Sequence, residues 1–168
     1  MNILIVRHGQ AGERAAFFAR TGRPDRERPL TLEGRRKFRR GLPGLKRVAP
    51  KLRTIATSPY TRAAQTATLL AERFHKAERV VLPALSHGGK PSDVLTWLRR
   101  RSATASVALV GHEPDLGKLI GVLTTGKPDA PFSLKKGGAA LIEFDGKAAA
   151  GAGVVVWVLT PAVMKKLG

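Results

Sequence analysis

The chain opens on an apolar run, Asn2-Ile3-Leu4-Ile5-Val6, that breaks directly into Arg7-His8-Gly9. An unbroken Leu/Ile/Val stretch of this length is the pattern of a strand buried on both faces. The pattern recurs at residues 106–110, more briefly at 54–57 and 80–82, and again at 139–144 and 154–159, the last two joined by a small Gly/Ala loop. Between these runs the apolar spacing shifts to a helical period. Thr31 is placed to cap a helix over 33–40, and Gly41, Pro43 and Gly44 are expected to break or kink it. Ser58-Pro59 has the form of an N-cap followed by proline at the first helical position, opening a helix to His75. Ser92 is predicted to cap a helix through Arg101, Asp115 to start one ending near Leu123, and 161–167 to form a last turn or two. Residues 11–29 are rich in Gly, Arg and Pro and read mostly as loop, with a short helix near 14–19; residues 83–91 form a second Gly/Pro loop. Strands alternating with helices predict an α/β fold, a three-layer sandwich whose mostly parallel central sheet is flanked by helices. No repeat or linker divides the chain, so residues 1–168 are expected to form one domain.

Composition narrows the classes. A chain of 168 residues, 43% hydrophobic, is long enough for a real core. There is no cysteine, which excludes disulfides, thiolate metal sites and cysteine nucleophiles. The apolar runs fall well short of the roughly 20 residues a membrane helix needs. No positive segment precedes a long apolar one, so a cytoplasmic protein is expected. Thirty Lys and Arg against 12 Asp and Glu give a net charge of +18. Such a field speeds encounter with anionic partners without naming one. Acids are too scattered for a Mg²⁺ cluster, so no metal or cofactor is expected. No apolar patch is obvious, which favours a monomer.

Two apolar strands end in a histidine unit, Arg7-His8 and Gly111-His112. If these strands are neighbours, both imidazoles face one crevice at the carboxyl edge of the sheet, where open α/β folds bind ligands. A third piece, Ser58-Pro59-Tyr60-Thr61-Arg62, feeds a strand into a helix start with Arg62 in the first turn. Helix N-termini favour anions, and an arginine there adds a fork for phosphate oxygens. Together these groups can move a phosphoryl group without a metal. His8 would attack phosphorus, Arg7 and Arg62 would hold its oxygens, and His112 would stabilise the transferring charge. Gly9 would let the backbone approach the ligand, and Gln10 would donate through its amide. Glu13 and Asp25 lie in the loops after His8 and could reach the rim of the pocket, but read first as ordinary surface acids. Glu113 either orients His112 or caps the next helix.

With these three blocks in order, the chain resembles the histidine phosphatase superfamily, the phosphoglycerate mutase-like fold. Arg7-His8-Gly9, Ser58 to Arg62 with Ala63, Gln65, Thr66 and Ala67, and Gly111-His112 carry the resemblance. Within the superfamily it is most similar to the short SixA-type phosphohistidine phosphatases, through Arg28-Pro29-Leu30-Thr31-Leu32-Glu33-Gly34, the minimal length and the Thr160-Pro161 ending. The resemblance implies that His8 is the phosphorylated nucleophile and that Arg7, Arg62 and His112 form the phosphate pocket. Many members carry a glutamate general acid after the third strand. Here that region reads Leu82-Pro83-Ala84-Leu85-Ser86-His87-Gly88-Gly89, with His87 at the position and no carboxylate nearby in sequence. An alkoxide leaves poorly without a positioned acid, whereas the imidazole of phosphohistidine leaves more readily. The leading reading is therefore a phosphatase acting on a phosphorylated protein histidine, on an acidic phosphotransfer domain or phosphocarrier. A small-molecule or polyphosphate phosphomonoesterase is the alternative on the same fold. A non-catalytic nucleic-acid binder is the third, through Arg35-Arg36-Lys37-Phe38-Arg39-Arg40. Sparse aromatics, 5% of the chain, and the lack of a known nucleic-acid module argue against it.

Overall fold

Ile3, Leu4, Ile5 and Val6 are all fully buried. In the computed structural model, which describes residues 1–129 and 131–168, they form the heart of strand β1 (Asn2–Arg7). The other strands are β2 (Thr54–Thr57), β3 (Glu78–Val81), β4 (Ser106–Gly111), β5 (Ala139–Glu143) and β6 (Val154–Leu159). They make one sheet in the order β3-β2-β4-β1-β5-β6. The pairs β1–β4, β2–β4 and β2–β3 are parallel, while β5 runs antiparallel to both β1 and β6.

Among the described residues there are six α-helices: α1 (Arg14–Thr21), α2 (Leu32–Val48), α3 (Thr61–Arg73), α4 (Pro91–Arg99), α5 (Asp115–Thr125) and α6 (Pro161–Leu167). Successive residues of a strand point to opposite faces, and the helices divide accordingly. Leu4, Val6, Ile55 and Ala108 pack with Leu42 and Leu45 of α2, Ala67 and Leu70 of α3 and Met164 of α6. Ile3, Ile5, Val107 and Leu109 pack on the other side with Leu98 of α4 and Leu119 and Ile120 of α5. The sheet is thus covered on both faces, the layering its continuous apolar strands require.

Several element ends differ from the sequence expectation. Thr31 does cap α2, its side chain accepting from the Gly34 N–H at 2.9 Å, but the helix runs unbroken through Gly41, Pro43 and Gly44 to Val48. Tertiary packing overrides the breakers. A Cβ on Gly41 would sit 3.3 Å from Met164 Cβ, and one on Gly44 only 2.0 Å from the Met164 carbonyl oxygen. These glycines are where α2 and α6 touch backbone to backbone. Ser58 is not the cap of α3, which starts at Thr61 with Tyr60 at the N-cap. Ser92 does not cap α4 either, because Lys90 holds the N-cap and Pro91 opens the helix.

Register places the site. Within the β1–β4 ladder, Arg7 pairs with Gly111, so His8 and His112 leave the sheet side by side. In the β2–β4 ladder, Thr57 pairs with Val110, which brings Ser58 to the same edge. At one lateral rim, β6 departs from the expectation of a patch-free surface: Val154, Val156 and Val158 are 66%, 46% and 47% exposed.

Candidate active site

The crevice at the carboxyl ends of β1, β2 and β4 gathers polar groups that bulk water hardly reaches. His8, Ser58, Arg62, Thr66 and His112 are all buried. A buried polar group must find a partner or carry a cost, so their hydrogen bonds define the site.

His8 Nδ1 lies 2.7 Å from the Gly9 carbonyl oxygen. A carbonyl only accepts, so Nδ1 carries the hydrogen and Nε2 keeps its lone pair. The Arg62 Nε–H donates to that Nε2 at 3.3 Å. Burial, with Arg62 and Arg7 nearby and only partly opposed by the Gly9 bond, lowers the His8 pKa to about 4. His8 is therefore a neutral imidazole with its Nε2 facing the guanidinium. The loop that carries it is tied to α3: the Gly9 N–H donates to Thr66 Oγ1 at 3.0 Å, and that hydroxyl donates to the Arg62 carbonyl at 2.7 Å. The Gly9 N–H is thereby occupied, and Gly9 positions His8 rather than presenting a free donor. Gln10 is exposed; its carbonyl accepts from the Thr31 N–H at 3.0 Å.

His112 stands beside it, with ring centroids 5.0 Å apart. Its Nε2 is 2.9 Å from Ser58 Oγ, and the same oxygen accepts from the Tyr60 N–H at 3.2 Å. The Ser58 hydrogen goes to His112 Nε2, which leaves Nδ1 as the N–H of a neutral ring. Burial above all, then Arg62 and the neighbouring imidazoles, drives the His112 pKa far down. Its Nδ1 is buried without a partner, as is Nε of Arg7. Arg7 is anchored by its Nη1, which donates to the Leu134 carbonyl at 2.6 Å. Two unpaired buried donors in one crevice make it a receptor for an oxyanion.

Arg62 is the largest fully buried side chain in the molecule. Its charge is met by Asp25, whose carbonyl accepts from Nη1 at 2.9 Å and whose Oδ2 lies 3.1 Å from Nη2. Arg28 donates to the other carboxylate oxygen at 2.8 Å and also to the Gly12 carbonyl. These two arginines hold the Asp25 carboxyl below its usual range against the opposing effect of burial. Asp25, read from sequence as a surface acid, is thus the counter-ion of the site. Glu113 makes no bond to His112 but does cap the next helix: its Oε2 accepts from the Gly117 N–H in the first turn of α5 at 3.1 Å, and its Oε1 accepts from the Leu134 N–H at 2.7 Å. It holds the segment that anchors Arg7.

Residues 3–87 match the model of the histidine phosphatase superfamily (branch 1). The chain belongs to the histidine phosphatase superfamily. An uncharacterized protein of Picosynechococcus sp. is 34% identical over 140 residues, covering 82% of each chain. The phosphohistidine phosphatase SixA of Escherichia coli is 27% identical over 168 residues, 98% of this chain and 97% of its own. A structure of the protein histidine phosphatase SixA in complex with tungstate superposes with a TM-score of 0.82 at 28% identity, covering 98% of this chain and 99% of that one. Superfamily membership and this fold support a phosphatase, a hydrolase. Among the described residues, no helix is long and apolar enough to cross a membrane.

His87 completes the crevice. It is exposed, yet its ring stacks on His112 at 4.8 Å with an interplanar angle of 24° and meets the edge of Tyr60 at 6.0 Å. The sequence has no carboxylate close to His87 along the chain. The fold supplies one from the start of α5: Asp115 Oδ2 is 3.5 Å from His87 Nδ1.

Proposed function

We propose that this histidine phosphatase removes the phosphoryl group from a phosphorylated protein histidine by way of a covalent phospho-His8 intermediate. The arrangement of His8 carries the reading: a neutral imidazole, its Nδ1 committed to Gly9, its Nε2 turned toward the guanidinium of Arg62. In the first half-reaction, Nε2 forms a bond to phosphorus as the bond to the substrate nitrogen breaks. In the second, water attacks phosphorus and the electron pair returns to Nε2, releasing phosphate. The three equatorial oxygens bear the charge throughout. Arg62, the free Nε–H of Arg7 and the free Nδ1–H of His112 would donate to them, so the neutralisation a metal would give falls to the protein itself. Ser58 holds His112 in the tautomer that makes Nδ1 a donor.

A protein-borne phosphohistidine is supported by the similarity to SixA over nearly the whole chain and by the charge of +18, which would steer an acidic phosphotransfer domain or phosphocarrier to the site. The test compares phosphohistidine with p-nitrophenyl phosphate as substrates for the wild type and His8→Ala. We expect strong preference for phosphohistidine, abolished in the variant, with ³²P retained on the wild type alone after acid-free quenching. Comparable turnover of the ester would point instead to a small-molecule phosphomonoesterase.

A further inference from the structure

We infer that His87, oriented by Asp115, is the proton shuttle of this site: it protonates the leaving group in the first half-reaction and deprotonates water in the second. The inference rests on phosphoryl transfer to His8 as proposed above. From sequence, a loop histidine beside two glycines reads either as a substitute donor or as an exposed bystander. The fold gives it a fixed place. The Gly88 N–H donates to Asp115 Oδ2 at 3.0 Å, and Gly88 has the left-handed φ of 76° that this turn needs. A Cβ on Gly89 would lie 2.0 Å from the Ala84 carbonyl oxygen, so the loop is folded tightly on the short 3-10 turn Pro83–Leu85. Both glycines therefore serve to press His87 against His112 and toward Asp115.

The imidazoles form a row, His8 to His112 at 5.0 Å and His112 to His87 at 4.8 Å. The inner two are buried among arginines and stay neutral. The outer one is 43% exposed and faces a carboxylate, so it is the member of the row suited to carry a proton. In-line attack places the leaving atom on the far side of phosphorus from His8. The span is about 3 Å of near-attack separation, one bond to phosphorus, and about 3 Å of hydrogen bond to a donor. His87 is the far member of the row from His8, with His112 between them. In the first step the Nε2–P bond forms, the bond from phosphorus to the leaving nitrogen or oxygen breaks, and that atom takes the proton from His87 Nε2. In the second, the water proton returns to His87 as the water oxygen bonds phosphorus and His8 departs.

The test uses the full chain and phosphoryl donors of graded leaving-group basicity: p-nitrophenyl phosphate, phenyl phosphate and phosphohistidine. A nitrophenolate leaves without help, whereas phenolate needs a proton. His87→Ala is expected to lose about 10²-fold in kcat on phenyl phosphate and less than about 5-fold on p-nitrophenyl phosphate. The high-pH decline of kcat on phenyl phosphate should vanish in the same variant. The charged and titratable groups facing His87 are Asp115, Tyr60 and His112, with Lys118 3.9 Å from Asp115. Tyr60→Phe is therefore expected to keep the decline. Asp115→Asn can still accept from Gly88 and should lower kcat on phenyl phosphate about 10-fold with KM unchanged, the behaviour of a positioning residue. Equal losses on all three donors, or none, would overturn the role of His87. A wild type that forms no phospho-His8 with any donor would instead remove the reading beneath it.

Discussion

Arg62 faces His8 with one edge of its guanidinium and Asp25 with the other, at 1% exposure. Desolvation lowers its pKa and the Asp25 carboxylate opposes that. Asp25→Asn keeps the shape and the backbone carbonyl but removes the counter-charge. A loss of about 3 kcal/mol in denaturant titrations is expected, together with reduced turnover as the guanidinium drifts. His8 and His112 predict how stability responds to acid. The native pKa of His8 lies near 4 and its ordinary value at 6.5, so between these the unfolded chain binds protons that the native state refuses. His112 acts in the same direction. Stability is therefore full above about pH 6.5 and declines toward pH 4, by about 1.4 kcal/mol per pH unit for each group. Thermal melts over this range should show the fall, and His8→Asn should remove about half of its slope, leaving the His112 share. At this scale the sequence was informative where chemistry sits at an element end. Arg7, His8, His112 and Arg62 each follow a strand or open a helix, and pattern alone locates them. The roles of Asp25 and Asp115 were not legible, Asp25 reading at most as a rim residue and Asp115 as a helix start, because each meets its partner only through the tertiary course of the chain: Asp25 reaches Arg62 across 37 residues, and Asp115 reaches Gly88 across 27.

The elements show the same division. Continuous apolar strands announced a sheet covered on both faces, and their alternation with helices announced its mostly parallel order. The helix α2 was misjudged, since Gly41 and Gly44 look like breakers when no neighbour is visible. Against α6 they are contact points. Gly44→Ala would force a methyl group into the Met164 carbonyl, whereas Gly41→Ala comes to 3.3 Å of Met164 Cβ, a tight contact but not an overlap. Equilibrium unfolding should register a loss of about 1–3 kcal/mol for the first and clearly less for the second. Ser58 illustrates a different failure. Its Ser-Pro context suits a helix cap, but the hydroxyl is used to set the tautomer of His112. A local rule is broken there because the active site has a stronger claim on the atom.

Across the whole molecule, a charge of +18 acts on everything that approaches. For an acidic phosphoprotein substrate, kcat/KM should fall about tenfold between low salt and 0.5 M salt, with free phosphohistidine far less affected. The same charge acts between copies of the enzyme. At one rim of the sheet, β3 begins with the exposed Glu78 and Arg79, charges that discourage another strand from joining. At the other rim, Val-Val-Val-Trp-Val-Leu of β6 has no charge and no proline, and Val154, Val156 and Val158 stand in solvent. Two such rims laid antiparallel would carry one sheet straight into the next molecule. The shared charge of +18 would oppose that contact, and dissolved ions would screen it. Light scattering at rising salt should therefore show the wild type gaining mass while Val156→Lys stays single. Salt that weakens capture of an acidic substrate would, by the same screening, let one molecule cling to another.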